Sequence, residues 1–361
     1  MKKIAFVTHI YTDSNFHSGG VKLNYILLNG LKKCNYTIDL YCNNVRNNVH
    51  NLFENIYKFD EIENNRANYD LILSDKACVP SDITYIHDHS YPFRVKMLFS
   101  KFKFNLYKIF KEKRHNKRLS EFNITKNNLK NTKIVVVSSN ILKQDMIDNY
   151  DVDEHRIIVI PPPIEEYGLQ HSKSKKEVPF VFGLCAVGFE RKGGYIALKA
   201  IKKLKYYNKN FKVKIIYPSD NFFVKLLLKL YGIEKYCEFL GFYNDMSKFY
   251  NSIDCLIMPS LLEPYGMVTT EALSCGVPAI VPNHCGACDC IENAYNGYVY
   301  DAKNKPVDSL VDAMKNMLEL GNTEYLELSK NSLKTSKSFT SDSFVQRYLK
   351  LMEEKTIYGR I

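Results

Sequence analysis

Short runs of β-branched and aromatic residues alternate with stretches of helical periodicity from one end of this chain to the other. Apolar runs of that length, too continuous for a half-exposed strand, read as strands covered on both faces, and helices between them supply the cover. In the first half the strands fall at residues 4–8, 36–42, 70–74, 83–86, 134–138 and 157–160. Pro161-Pro162-Pro163 then stops regular structure, and residues 165–177 are polar and charged. The pattern restarts at residues 179–185 and continues at 213–217, 237–240, 255–258, 279–281 and 298–300. An α/β fold of two doubly wound domains follows, residues 1–165 and 179–338, with a linker at 166–178 and a closing segment at 339–361 that holds Phe344, Tyr348, Leu351 and Met352 at helical spacing. A length of 361 residues suits two domains of about 150 to 180 residues each. Sheets of this kind bind ligands beyond the C-terminal ends of their strands, so the residues that follow strands are the ones to weigh.

No run approaches the roughly 20 apolar residues that a membrane span needs. Met1-Lys2-Lys3 leads straight into Ile4-Ala5-Phe6-Val7-Thr8, which is soon polar. Ten scattered cysteines, among them Cys42, Cys185 and Cys255 inside apolar runs, read as reduced thiols. The expectation is a cytoplasmic protein, neither secreted nor integral. The formal charge is +11, and residues 94–118 hold ten Lys/Arg against the single acid Glu112.

The densest chemistry follows the strand at 255–258. Glu263 and Glu271 bracket Pro264-Tyr265-Gly266-Met267-Val268-Thr269-Thr270, ahead of a helix that starts at Ala272-Leu273. A helix N-terminus offers unpaired N–H groups and partial positive charge, which favour phosphate oxygens. Ionised carboxylates are acceptors only, so in such a place they take hydrogen bonds from hydroxyls. Glu271 then fits a ribose and Glu263 a sugar. A second element is Gly188-Phe189-Glu190-Arg191-Lys192-Gly193-Gly194, directly after an apolar run. Cations aimed at a leaving diphosphate lower a barrier as charge develops, Arg191 as a fork and Lys192 as a point charge.

The run Pro259-Ser260-Leu261-Leu262-Glu263-Pro264-Tyr265-Gly266-Met267, followed by Glu271-Ala272-Leu273-Ser274-Cys275-Gly276-Val277-Pro278, resembles the donor-binding signature of family 4 glycosyltransferases. These are retaining enzymes of GT-B architecture, two Rossmann-like doubly wound domains facing across a cleft. The resemblance covers most of the chain, most closely residues 180–301. It implies a donor site of Gly19, Gly20, Arg191, Lys192, Phe242, Glu263, Tyr265, Gly266, Met267, Val268 and Glu271. It also implies catalytic roles for Glu263 and for a histidine at the end of the strand 83–86, either His87 or His89, with His87-Asp88 the better match. Many relatives carry an Arg soon after the glycine at 188, where this chain has Phe189, and a His where this chain has Ser74-Asp75-Lys76. Ser138-Ser139 and Leu240-Gly241-Phe242 resemble strand ends near the hinge and the nucleobase. The closing helix is implied to cross back onto the first domain.

The implied activity is a metal-independent, hexosyltransferase-type transfer from a nucleotide-diphosphate sugar, UDP-linked, to a saccharide or lipid-linked acceptor in cell-surface glycan synthesis, with no other cofactor. Asp151-Val152-Asp153 has the spacing of a metal-sugar-nucleotide clamp but lies in a polar stretch that reads as surface turn. His284-Cys285, Cys288 and Cys290 lack the second ligand pair usual in structural zinc sites. Phe99, Phe102, Leu106, Ile109 and Phe110 fall near helical spacing among lysines, which gives an amphipathic basic helix. With Lys101, Lys103, Lys108, Lys111, Lys113 and Arg114 it suits the inner face of an anionic membrane. Its aromatics lie on the apolar face and form no stacking platform, so nucleic acid is not the expected partner. Two alternatives stand beside this reading: a nucleotide-sugar epimerase of the same architecture, and a non-catalytic protein that docks on membrane or nucleic acid.

Overall fold

The computed structural model describes residues 2–12, 19–46, 52–98, 107, 110–164, 178–218, 221–241, 243 and 245–358. The chain divides into two compact units, one of Met1–Pro163 with Ser341–Ile361 and the other of Ile164–Thr340. Residues 165–177, nearly all of the expected linker, lie outside the described residues.

The first unit contains strands β1 (Lys3–Val7), β2 (Ile10–Thr12), β3 (Thr37–Cys42), β4 (Asn44–Arg46), β5 (Ile56–Lys58), β6 (Leu71–Asp75), β7 (Ile83–Ile86), β8 (Ile134–Val137) and β9 (Ile157–Val159). Seven of them form one sheet in the order β5-β3-β1-β6-β7-β8-β9, and β2 pairs with β4 apart from it. All the pairings are parallel. The sheet is buried on both faces, as its apolar runs require: Ile134 and Val136 point into one core cluster, Val135 and Val137 into another. The helix Ser341–Tyr358 belongs to this unit, and its Phe344, Val345, Tyr348, Leu351 and Met352 join Leu27, Leu28 and Leu31 in the core.

The second unit contains β10 (Phe180–Cys185), β11 (Phe211–Ile216), β12 (Cys237–Phe239), β13 (Cys255–Ile257), β14 (Ala279–Pro282) and β15 (Gly297–Tyr300). Their order is β12-β11-β10-β13-β14-β15, again parallel throughout. Cys255 and Ile257 enter one core cluster, and Leu256 and Met258 the other. In both sheets the chain starts in the middle, winds outward on one side, then returns past its first strand and winds out on the other. That reversal leaves a crevice beside the first strand, where its loop and that of the returning strand diverge. Each strand expected from the sequence is present, with ends within two residues of the expected ones.

Candidate active site

In the second sheet the reversal lies between β10 and β13, which are hydrogen-bonded neighbours. The loops that leave these two strands are butted together. Leu261 N donates to Arg191 O at 2.8 Å. Gly193, with φ +71°, caps the helix Gly194–Leu204 and packs against Pro259 so closely that only a glycine fits. Phe189 is buried and packs edge-on to Tyr195 and tilted against Tyr217. Its ring anchors the loop, and the cations that follow it are delivered against the residues after β13.

Glu263 receives those cations. Lys192 Nζ donates to Glu263 Oε2, and Arg191 Nη1 lies 3.4 Å from the same oxygen. Arg191 Nη1 also donates to Leu262 O at 3.2 Å. Three residues on, Gly266 caps the helix Met267–Ser274 with φ +96°, a left-handed value at which a side chain would be strained. The helix therefore starts at Met267, five residues earlier than the sequence suggests, and Glu271 lies one turn inside it. The N–H groups of Met267 and Val268 open the helix, where no intrahelical acceptor reaches them. Carboxylate, cations and helix N-terminus thus stand on one pair of loops at the winding reversal.

The segment 284–290 latches the loop after β13. Ala287 N and Cys285 Sγ both donate to Tyr265 O, at 2.6 and 2.9 Å, and His284 Nε2 lies 3.0 Å from Ser260 O. Burial pushes the Cys285 thiol well above its ordinary range, so it is a neutral S–H donor. Cys290 Sγ bonds Ala287 O at 3.1 Å. Among the described residues no group of three or more His, Cys, Asp or Glu is placed to hold a metal ion. Asp151 pairs with Lys126 at 2.6 Å, and Asp153 caps the short helix Glu154–Arg156.

The remaining donor-side residues divide by position. Glu271 accepts from Tyr250 OH at 2.6 Å, a partner that no sequence pattern announces. Tyr265, also expected in the donor site, has its side chain in the interior. It is buried against Ile164 and Phe339, at the two points where the chain enters and leaves this unit. Its backbone carbonyl, bonded from segment 284–290, is the part that shapes the loop. Met267 and Val268 are partly buried. Phe242 lies outside the described residues.

In the first unit, Gly19 and Gly20 form the opening turn of the helix Gly19–Lys33. A β-carbon on Gly20 would stand 2.4 Å from His87 Nε2, so the imidazole rests over this turn only because the glycine is bare. His87 Nδ1 faces Asp75 Oδ1 across 3.7 Å, and Thr8 Oγ1 donates to Asp75 Oδ2 at 3.3 Å. Burial holds the His87 imidazole below the usual histidine range, with the Asp75 carboxylate pulling the other way. His89 is set apart from it. Its side chain is fully buried, stacked on Phe93 and held through Nδ1 by Asp145 at 3.1 Å, which also accepts from Ser90 N and Oγ. The two histidines thus face different carboxylates, and His89 lines the cavity of the first unit. Asp88 pairs with Arg94 beside this cavity of about 340 Å³, lined also by His9, Lys76, Arg118 and Tyr150. Ser139 caps the helix Asn140–Tyr150.

Lys101, Lys103 and Lys108, with Phe99, Phe102, Leu106 and Ile109, lie outside the described residues. Lys111, Lys113 and Arg114 are exposed, at the start of the helix Glu112–Lys130. Among the described residues no helix is long and apolar enough to cross a membrane.

Known proteins share this architecture. Residues 169–335 match the family described as Glycosyl transferases group 1. HepE of Anabaena, solved in complex with UDP and glucose, superposes with a TM-score of 0.67 at 16% identity, over 98% of this chain and 100% of that one. The fold is α/β with parallel sheets, matching the GT-B glycosyltransferases. An uncharacterized glycosyltransferase of Methanocaldococcus jannaschii is 29% identical over 233 residues, 62% of this chain and 60% of that protein. The N,N'-diacetylbacillosaminyl-diphospho-undecaprenol alpha-1,3-N-acetylgalactosaminyltransferase of Campylobacter jejuni is 32% identical over 117 residues, 32% of this chain and 30% of that protein. The alignment thus spans 60% of the length of the first of these relatives and less of the second. Together the matches give the fold, that of the GT-B glycosyltransferases, and a likeness to the group 1 family over residues 169–335.

Proposed function

We propose that this chain is a retaining, metal-independent glycosyltransferase of family 4, which moves a hexose from a UDP-linked donor to a saccharide or lipid-linked acceptor in cell-surface glycan synthesis. The observation that carries the reading is the meeting of Lys192 and Arg191 with Glu263 beside the N-terminus of the helix Met267–Ser274. Without a ligand, the carboxylate holds the cations. With a sugar diphosphate in place, the cations turn to the phosphates, and Glu263 accepts from a sugar hydroxyl. Glu271, held by Tyr250, accepts from the ribose. The C1–O bond to the diphosphate breaks while the acceptor oxygen bonds to C1 on the same face. The acceptor proton goes to the departing phosphate oxygen or to His87, which burial keeps neutral near pH 7. Positive charge from Arg191 and Lys192 takes the part that a divalent ion plays in other transferases.

Support for the donor comes from HepE, whose complex contains UDP and glucose. Support for a lipid-linked acceptor comes from the Campylobacter relative, whose name carries a diphospho-undecaprenol group, and from Lys76, Arg94 and Arg118 around the cavity of the first unit, cations fit for an acceptor phosphate. Membrane contact through residues 101–114 belongs to the same reading, at the inner face of the membrane. A thermal-shift panel of nucleotide sugars tests the donor, since a ligand that binds only the folded form raises its apparent stability. Product analysis with undecaprenyl-diphosphate saccharides, with and without EDTA, then tests transfer, anomeric configuration and metal independence. An epimerised nucleotide sugar formed without acceptor would overturn the reading.

A further inference from the structure

The helix Phe222–Tyr231 has well-made ends. Asn221 Oδ1 accepts from Val224 N at 3.1 Å, and Gly232, with φ +59°, closes the helix. Val224 and Leu228 point into the core of the second unit. At about 100° per residue, Phe222, Phe223, Leu226 and Leu230 share a single arc roughly 100° wide on the side away from that core. They are exposed by 70%, 70%, 41% and 68%. Four large apolar side chains in contiguous array on a surface mark a contact site.

The charges around this stripe indicate what covers it. Lys225 and Lys229 flank the arc, and no acidic residue occurs between Asn221 and Ile233. Lys202 lies over the Tyr231 ring at 4.7 Å, and Lys205 Nζ donates to Tyr231 O, so further cations gather at the C-terminal end of the helix. A second copy of the chain, paired face to face, would bring Lys225 and Lys229 against their own images, which repel. An anionic bilayer takes apolar side chains into its acyl boundary and lysines among its phosphates. We infer that the exposed stripe of the helix Phe222–Tyr231 seats the second unit in the interface of an anionic lipid membrane. This surface is separate in sequence and unit from the 101–114 segment, and it stands whether or not that segment meets membrane.

The chain has no tryptophan, so Phe223→Trp introduces a single indole as reporter. With vesicles of phosphatidylglycerol and phosphatidylcholine in equal parts, its emission should shift to the blue and be quenched by brominated lipid, while phosphatidylcholine alone should do neither. Replacing Phe222, Phe223, Leu226 and Leu230 together by serine should lower the partition coefficient in flotation by about tenfold or more. Circular dichroism should stay unchanged, because these side chains pack on nothing in the core. An indole that ignores phosphatidylglycerol, or a serine variant that floats like the parent, would overturn the inference. So would a parent dimer in gel filtration that the serine variant alone dissociates, which would give the stripe to a second copy. If Lys111→Glu with Lys113→Glu and Arg114→Glu abolishes flotation while the serine variant floats normally, membrane binding belongs to the first unit and the stripe has another use.

Discussion

Gly193 lies so close to Pro259 that a β-carbon on it would stand 1.7 Å from the Pro259 carbonyl oxygen. Contact with a backbone atom cannot be relieved by a rotamer change, so the loop after β10 and the loop after β13 would have to part. Gly193 also sits at φ +71°, which an alanine tolerates poorly. Gly193→Ala should therefore cost about 3 kcal/mol of unfolding free energy, from overpacking and backbone strain together. Urea denaturation reads that cost. The same variant should lose transfer activity beyond what its stability explains, because the contact sets where Lys192 meets Glu263.

The Lys192–Glu263 pair separates a charge clamp from a structural ion pair. If Lys192 stabilises the departing diphosphate, Lys192→Ala should lower kcat/KM by about 10²- to 10³-fold with little change in stability. Glu263→Gln should act in opposite senses on two ligands. It frees the cations, so UDP without a sugar should bind a few-fold tighter, in line with roughly 1 kcal/mol for a partly exposed pair. Transfer should fall, because the carboxylate no longer holds the sugar. Isothermal titration with UDP beside steady-state kinetics reads both, and weaker UDP binding by the Glu263→Gln variant would count against the clamp.

The sequence showed the winding of both units, because a buried parallel strand leaves a continuous apolar run whatever surrounds it. Ile134, Val135, Val136 and Val137 are legible for that reason: each faces a core, two on either side of the sheet. Strands β2, β4 and β5 were not legible, since they mix polar residues with the exposed Ile10, Val45 and Ile56 and leave no continuous apolar run. A boundary governed by glycine was less legible. Gly266 caps a helix that starts at Met267 and not at Ala272. Propensity argues for loop there, and tertiary packing overrides it. Arg191, Lys192 and Glu263, more than 70 positions apart, were brought together by the order β10-β13 in the sheet, which strand patterns alone do not reveal. Tyr250 was invisible because its importance rests on one hydroxyl that reaches Glu271.

That hydroxyl makes its own prediction. Tyr250 is fully buried, and its OH reaches Glu271 Oε2 at 2.6 Å. Tyr250→Phe keeps the ring in the core and removes the oxygen, so the protein should lose only about 1 kcal/mol of stability. If Glu271 takes the ribose, a loosened carboxylate should raise KM for the nucleotide sugar several-fold and leave kcat nearly unchanged, the signature of ground-state positioning. Glu271→Gln should show a larger effect of the same kind. A fall in kcat with KM intact would move Glu271 from nucleotide binding to the chemical step.

Stability should depend on pH through His87. Its ordinary value is 6.5, and in the fold burial lowers it, despite the Asp75 carboxylate. As pH falls below 6.5 the unfolded chain takes up a proton that the buried imidazole refuses, so the unfolded state is favoured. The contribution is therefore fully present above pH 6.5 and declines as pH drops toward the folded value, with a slope of at most about 1.4 kcal/mol per pH unit for one group. Asp39 adds a second and lower window. Burial of its carboxyl is outweighed by hydrogen bonds from Lys3, Tyr69 and Asn55, so its value lies below 3.8, and its contribution is lost only as pH falls through that range. Urea denaturation between pH 7.5 and 5.5 should thus show a decline that His87→Gln flattens and Asp39→Asn does not. An undiminished decline in the His87→Gln protein would mean that another group takes up the proton and that burial does not hold the His87 imidazole below its ordinary range.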